Sequence, residues 1–213
     1  MSNTSVAAAA AEVAPKALPA SITTLFTTPR AWHVMVDIET MGVNPNAPVM
    51  SIGWVRFDKD GVDRASAKEV HLSLDIEIKS GAVVDASTIK FWMKQPDDAR
   101  RRLFRPDDVE SYDSPSDSLY VFRNALPYGD DLLGIWGNGA NFDNVLLRQC
   151  YERHHIPVNW PFYKERCFRT LKTLLPNVAA PPFTGIKHGA MDDAVHQAEH
   201  AVLILQALEK LKF

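Results

Sequence analysis

The sequence predicts an α/β fold, a mixed sheet of five strands covered by helices. Two observations lead there. Strand-like segments follow one another without an intervening helix at residues 33–39, 49–57 and 70–74, and from residue 87 onward helix and strand patterns alternate. Strands joined by short turns pair antiparallel, whereas strands separated by helices can return parallel, so the two halves together call for a mixed sheet.

Residues 1–30 are rich in Ala, Ser, Thr and Pro and are expected to be a flexible N-terminal tail, with a short helical piece near 6–13. Residues 31–213 are expected to be one domain. Its first strand, 33–39, is built on the apolar run Val34-Met35-Val36 and is followed by a Pro- and Asn-rich connection at 42–48. Strand 49–57 comes next, and Lys59-Asp60-Gly61 makes a hairpin-type turn towards the third strand at 70–74. Helices are expected at 87–93 and at 96–104, where Pro-Asp-Asp puts negative charge at the positive end. Another is expected at 116–126, capped by Ser. Strand 132–136 passes through a Gly/Asn loop into helix 143–153, whose inner stripe is expected to be Val145, Leu146 and Cys150. A final strand at 163–168 and a long helix at 189–211 complete the domain.

Composition constrains the chemistry little. The chain is 46% hydrophobic, enough for a sizeable core, and its net charge is −3. Two bound divalent ions would turn that into roughly +1, so bulk charge does not exclude a nucleic-acid partner. Cys150 and Cys167 are too few and too scattered for a disulfide framework or a zinc site, and both are expected to be buried free thiols. No apolar run reaches the ~18 residues of a membrane span. The run at 6–10 has no cationic segment before it, so no secretory signal is expected and a cytoplasmic location is.

Three acidic stretches carry the chemistry: Asp37-Ile38-Glu39-Thr40, Asn141-Phe142-Asp143, and His188 with Asp193 five residues on. On a strand Asp37 and Glu39 point to one face with Met35, while Val34, Val36 and Ile38 point to the other. Carboxylates on a covered face repel one another and are costly to desolvate. A pair of Mg²⁺ or Mn²⁺ ions removes that cost, and two such ions about 3.5–4 Å apart clamp a displacement at phosphorus. Asp143 follows the C-terminal end of a strand through a Gly/Asn loop that lets another chain approach closely. In the last helix Asp193 borders the apolar line Ala194, Ala198, Ala201 and Leu205 and should face a cleft. Asp192, on the side of His196 and Glu199, should face solvent. His188 falls in the loop before the helix, where a histidine can act as a general base.

This ordered set resembles the DEDDh exonucleases, which include proofreading exonucleases, oligoribonuclease and RNase T. The closer likeness is to the phage exonuclease A and RNase T-like 3′–5′ exoribonuclease group. It covers most of residues 32–205 and adds the segment from Thr88 to Gln95, Trp136 to Asp143, and His188 to Ala194. The resemblance implies an RNase H-like fold, a five-stranded mixed sheet with helices on both sides. It implies a metal-dependent 3′–5′ exonuclease acting on a 3′ end of DNA or RNA and releasing nucleoside monophosphates. Asp37, Glu39 and Asp193 would hold one of two divalent ions, Mg²⁺ or Mn²⁺, Asp37 and Asp143 the second, and His188 would take the proton from the attacking water. Thr40, Met41 and Gly42 would line the terminal nucleotide; Trp92, Gln95 and Asn138 are further candidates for substrate contact. Such relatives occur in bacterial cells and phage-infected hosts, and a homodimer is common in the RNase T-like branch.

Arg100, Arg101, Arg102 and Arg105 form a basic stretch that could hold phosphates, with a solvated helix face as the plainer reading. Two rival functions remain at this level. One is endonucleolytic cutting on the same fold, against which the spacing of His188 and Asp193 argues. The other is a non-catalytic nucleic-acid-binding adaptor that keeps its metal site. Nothing in the residues distinguishes ribose from deoxyribose.

Overall fold

A computed structural model describes residues 30–104, 114–139 and 141–211. Apart from Arg30 these lie in a single unit, Ala31–Phe213. The expected tail, with its helical piece, therefore falls almost wholly outside the described residues.

Five strands form one sheet in the order β3-β2-β1-β4-β5. β1 (Trp32–Thr40), β2 (Val49–Asp58) and β3 (Gly61–His71) make the antiparallel meander. β4 (Leu132–Gly137) pairs parallel with β1, and β5 (Glu165–Cys167) parallel with β4. The mixed sheet expected from the strand order is the one observed. β1 sits at its centre with a partner on either side, so the strand bearing Asp37 and Glu39 is held by hydrogen bonds along both edges.

Alternation along β1 divides the core. Val34, Val36 and Ile38 face a cluster with Leu119 and Phe122 of α4 (Pro115–Ala125) and Leu146, Leu147 and Cys150 of α5 (Asp143–Arg153). Met35 faces the other way, into a cluster with Phe57, Trp136 and the small residues Ala194, Ala198 and Ala201 of α7 (Ala190–Lys210). Those alanines let the long helix lie close on the sheet. Gly53, in the middle of β2, brings it closer still: a Cβ there would lie 2.1 Å from the carbonyl carbon of Ala190. The first turn of α7 thus rests on the sheet next to Asp37, whose register partner is Gly53.

Several boundaries differ from expectation. The third strand starts at Gly61, directly after the turn, and ends at His71. Its outer part, Asp63, Arg64, Ser66 and Lys68, reads as loop because it is an edge strand kept polar. Leu74 does not belong to it but opens α1 (Leu74–Lys79), a helix not expected because Leu-Asp-Ile-Glu-Ile-Lys alternates like a strand. Tertiary contact decides: fully buried Glu77 pairs with Arg153 and His154 and accepts from the Val49 N–H at 3.1 Å.

The helices expected at 87–93 and 96–104 are α2 (Ala86–Trp92) and α3 (Asp97–Leu103). α4 starts one residue early, with Pro115 in its first turn and the Ser114 hydroxyl accepting from the Ser116 N–H at 3.1 Å. In α5 the inner stripe is Leu146, Leu147 and Cys150, with Val145 half-buried. The last strand is shorter than 163–168, because Phe168 begins α6 (Phe168–Leu174), a helix the sequence pattern does not announce. Cys150 is buried as expected, while Cys167 is half-buried and its sulfur accepts from the Thr170 N–H at 3.4 Å. No described helix is long and apolar enough to cross a membrane.

Candidate active site

Three elements deliver the acids. Asp37 and Glu39 leave the C-terminal half of β1 on the α7 face. Asp143 opens α5 and is 2% exposed, packed over the end of β4. Only Gly137 permits that, since a Cβ there would lie 2.7 Å from the Cβ of Asp143. Asp193 sits in the first turn of α7. All four line one cavity of about 290 Å³, together with His188 and Asn138. Glu39, His188 and Asp193 each offer a ligand atom within 4.8 Å of the others.

The electrostatics follow from that crowding. Burial raises Asp37 well above the carboxylate range, and the charges of Asp143 and Asp193 push the same way, while the hydrogen bond from Gln197 opposes them. Glu39 is raised by burial and then by Asp37 and Asp193. Burial lifts Asp143 to about 6 against nearby backbone groups, and it lifts Asp193 as well. One carboxylate oxygen of Asp143, Oδ2, is buried with no hydrogen-bond partner among the described residues. The cavity is short of positive charge.

His188 is held in an unusual backbone conformation, φ +64°. Its N–H donates to Asp193 Oδ2 at 2.8 Å, and its ring meets those of Phe91 and Trp92 edge-on at 5.3 and 5.9 Å. Asp192 does not simply face solvent. It accepts from the Ile186 N–H at 2.9 Å and packs on Gly185, whose φ of +109° and lack of a Cβ make room for it. One acid of the pair thus fixes the loop and the other fixes the histidine.

Beside the acids lies an apolar slot of about 360 Å³, sharing Glu39, Phe142 and His188 with them and walled by Thr40, Phe91 and Trp92. Trp92 is both core and wall: it is 3% exposed and its indole N–H donates to the Thr40 carbonyl at 2.9 Å. The Thr40 hydroxyl donates to the Gly42 carbonyl at 2.6 Å. Met41 and Gly42 line neither space. Met41 is packed in a small core with Met50 and Leu103, and Gly42 abuts Ala47 and Asp85. Gln95 turns back to the Phe91 carbonyl and also lines neither. Of the basic stretch, Arg100 pairs with Asp97 and Arg102 with Glu69, Arg101 is exposed, and Arg105 lies outside the described residues.

Residues 32–205 match the model of the 3′–5′ exoribonuclease Rv2179c-like domain family. The chain belongs to this family. It is a 3′–5′ exonuclease, and the match names the Rv2179c-like family rather than the phage exonuclease A grouping. No curated protein sequence matches this Rv2179c-like exonuclease. Its fold is similar to cell-death related nuclease 4 (CRN-4), at 13% identity and TM-score 0.53 over 86% of this chain and 65% of that one. It is similar to the nuclease domain of 3′hExo, a DEDDh family member, at 12% and 0.54 over 84% and 94%. E. coli Exonuclease I gives 15% and 0.59 over 85% of this chain but 42% of its own.

Two side chains of the candidate site are not marked by the sequence motifs. Gln197 is 7% exposed and donates to Asp37 Oδ1 at 2.7 Å; it stands four residues after Asp193, one helical turn on, which is the signal that could have found it. Arg169 lines the acidic cavity from α6, the helix not expected from the sequence.

Proposed function

We propose that this exonuclease hydrolyses the terminal phosphodiester at a 3′ end of RNA or DNA and releases nucleoside monophosphates, using two divalent cations and His188 as general base. The observation that carries this is the meeting of Asp37, Glu39, Asp143, Asp193 and His188 on one cavity that opens beside an apolar slot. The donors fit Mg²⁺ or Mn²⁺: the carboxylates are hard oxygen ligands, Asp143 Oδ2 lacks a partner among the described residues, and burial strains every charge in the set. Asp37, Glu39 and Asp193 would hold one cation and Asp37 and Asp143 the other. Bound there, they would supply Lewis-acid stabilisation of the charge on the phosphate oxygens.

The chain's own groups do the rest. His188 accepts a proton from the attacking water at an imidazole nitrogen, its backbone fixed by Asp193 and its ring hemmed by Phe91 and Trp92. The slot accepts the terminal nucleoside against Phe91 and the Thr40 edge, and shields it from water. Gln197 orients Asp37 by holding one of its oxygens.

The neighbours lend support: 3′hExo was solved bound to rAMP, Exonuclease I with a dA16 oligonucleotide, and S. pombe Pop2p, at 12% identity and TM-score 0.50, with Mg²⁺ and Mn²⁺. The family's description makes RNA the substrate to try first. The test is a 5′-labelled single strand of RNA or DNA incubated with Mg²⁺, Mn²⁺ or chelator. A metal-dependent ladder shrinking from the 3′ end, absent in Asp37→Ala, is expected. Binding without any ladder would instead favour the docking adaptor.

A further inference from the structure

Arg169 and Lys172 lie three residues apart on α6 and so share a face. Arg169 is exposed and lines the acidic cavity but not the apolar slot, whereas Phe91 and Trp92 line the slot but not the cavity. Glu39 and His188 line both, and therefore stand between the slot and Arg169. The Arg169 guanidinium makes no ion pair or hydrogen bond among the described residues, even with four carboxylates on the same cavity. Lys172 is placed alongside, its ammonium donating to Asn138 Oδ1 at 3.4 Å and lying 4.7 Å from the centre of the Phe168 ring. Burial and the nearby Arg169 charge both lower the Lys172 pKa, as expected of two cations without an anion between them.

We infer that Arg169 and Lys172 form a binding site for a backbone phosphate of the single strand, the one on the 5′ side of the penultimate nucleoside. This rests on the exonuclease reading above. The terminal nucleoside occupies the slot, the scissile phosphate lies at the carboxylates, and the strand leaves across the Asn138 loop towards α6. Arg169 offers a planar fork for the phosphate oxygens and Lys172 a point charge already held by Asn138 and Phe168. The site makes the protein a reader of polyanionic chains, and a free mononucleotide has no group to fill it.

The test is equilibrium binding of a fluorescein-labelled single-stranded oligonucleotide, with Ca²⁺ replacing Mg²⁺, beside binding of a nucleoside 5′-monophosphate. The double variant R169A/K172A is expected to lose roughly tenfold in oligonucleotide affinity. Its plot of log affinity against log salt should be shallower by about 0.7 for each phosphate no longer neutralised. Mononucleotide affinity should stay within about twofold of wild type, and Arg169→Lys should restore part of the slope. An unchanged oligonucleotide affinity and slope would overturn the proposal. Equal losses for both ligands would also overturn it, by placing the pair at the scissile phosphate. A wild-type protein that binds neither ligand would fail the exonuclease reading itself, before any variant is compared.

Discussion

The surroundings of Asp37 oppose its charge. Its side chain is half-buried, faces Asp143 and Asp193, and among the described residues accepts a hydrogen bond from Gln197. Gln197→Ala should therefore raise the Mn²⁺ concentration needed for half-maximal hydrolysis by about tenfold, in the range found when partners of metal ligands are removed. Gln197→Glu, which adds a further carboxylate to the cluster, should be worse. An unaltered Mn²⁺ dependence in both variants would show that the contact does not orient Asp37. His188 gives a complementary case. His188→Ala should lower kcat by about 10²–10⁴ while leaving KM close to wild type, as expected for removal of a general base.

At the scale of elements, the seat of α7 on β2 decides whether the acids meet. Gly53 lies opposite Asp37 in the register, and Ala190 occupies the space a side chain would need. Gly53→Ala should cost about 1–3 kcal/mol in denaturant unfolding through overpacking. It should also depress hydrolysis, because it moves His188 and Asp193 away from Asp37 and Glu39. Glu77 tests the opposite side of the sheet. It lies outside the acidic cavity and neutralises buried Arg153, so Glu77→Ala should cost about 3–5 kcal/mol yet leave activity per folded molecule near wild type. Two short helices also show where sequence patterning misleads. Leu74–Lys79 alternates as a strand does, yet the contacts of Glu77 with Arg153 and His154 hold it as a helix. Phe168–Leu174 is too short for its periodicity to stand out, and Arg169 is hidden with it.

The whole molecule stores a pH-dependent conflict in its acidic cavity. Burial raises Asp143 to about 6, and Asp37, Glu39 and Asp193 rise in the same direction. A carboxyl whose folded pKa exceeds its unfolded value stabilises the fold at low pH and loses that contribution as pH rises through the folded value. In chelator, the melting temperature should therefore fall as pH rises from about 4 through 6, with Asp143 alone contributing about 3 kcal/mol. Asp143→Asn should flatten that fall. Mn²⁺ added at pH 7 should raise the melting temperature of the wild type by binding only the folded state. A melting temperature insensitive to both pH and Mn²⁺ would contradict the charge crowding.

The order of the five strands and the face on which Asp37 and Glu39 stand were legible in the sequence, because period-two alternation encodes them directly, whereas Asp143 and Asp193 stood out only as members of an ordered motif set. The contacts of Met41 and Gly42 were not: they follow the β1 motif in the chain, but packing against Met50 and Leu103 and against Ala47 and Asp85 turns them from the slot. Nor was the partnership of Gln197 with Asp37, 160 residues away. Local pattern reports what each residue can face within its own element. Only the closing of α7 and α6 over the sheet determines which distant side chains share a desolvated space, and the chemistry depends on that sharing.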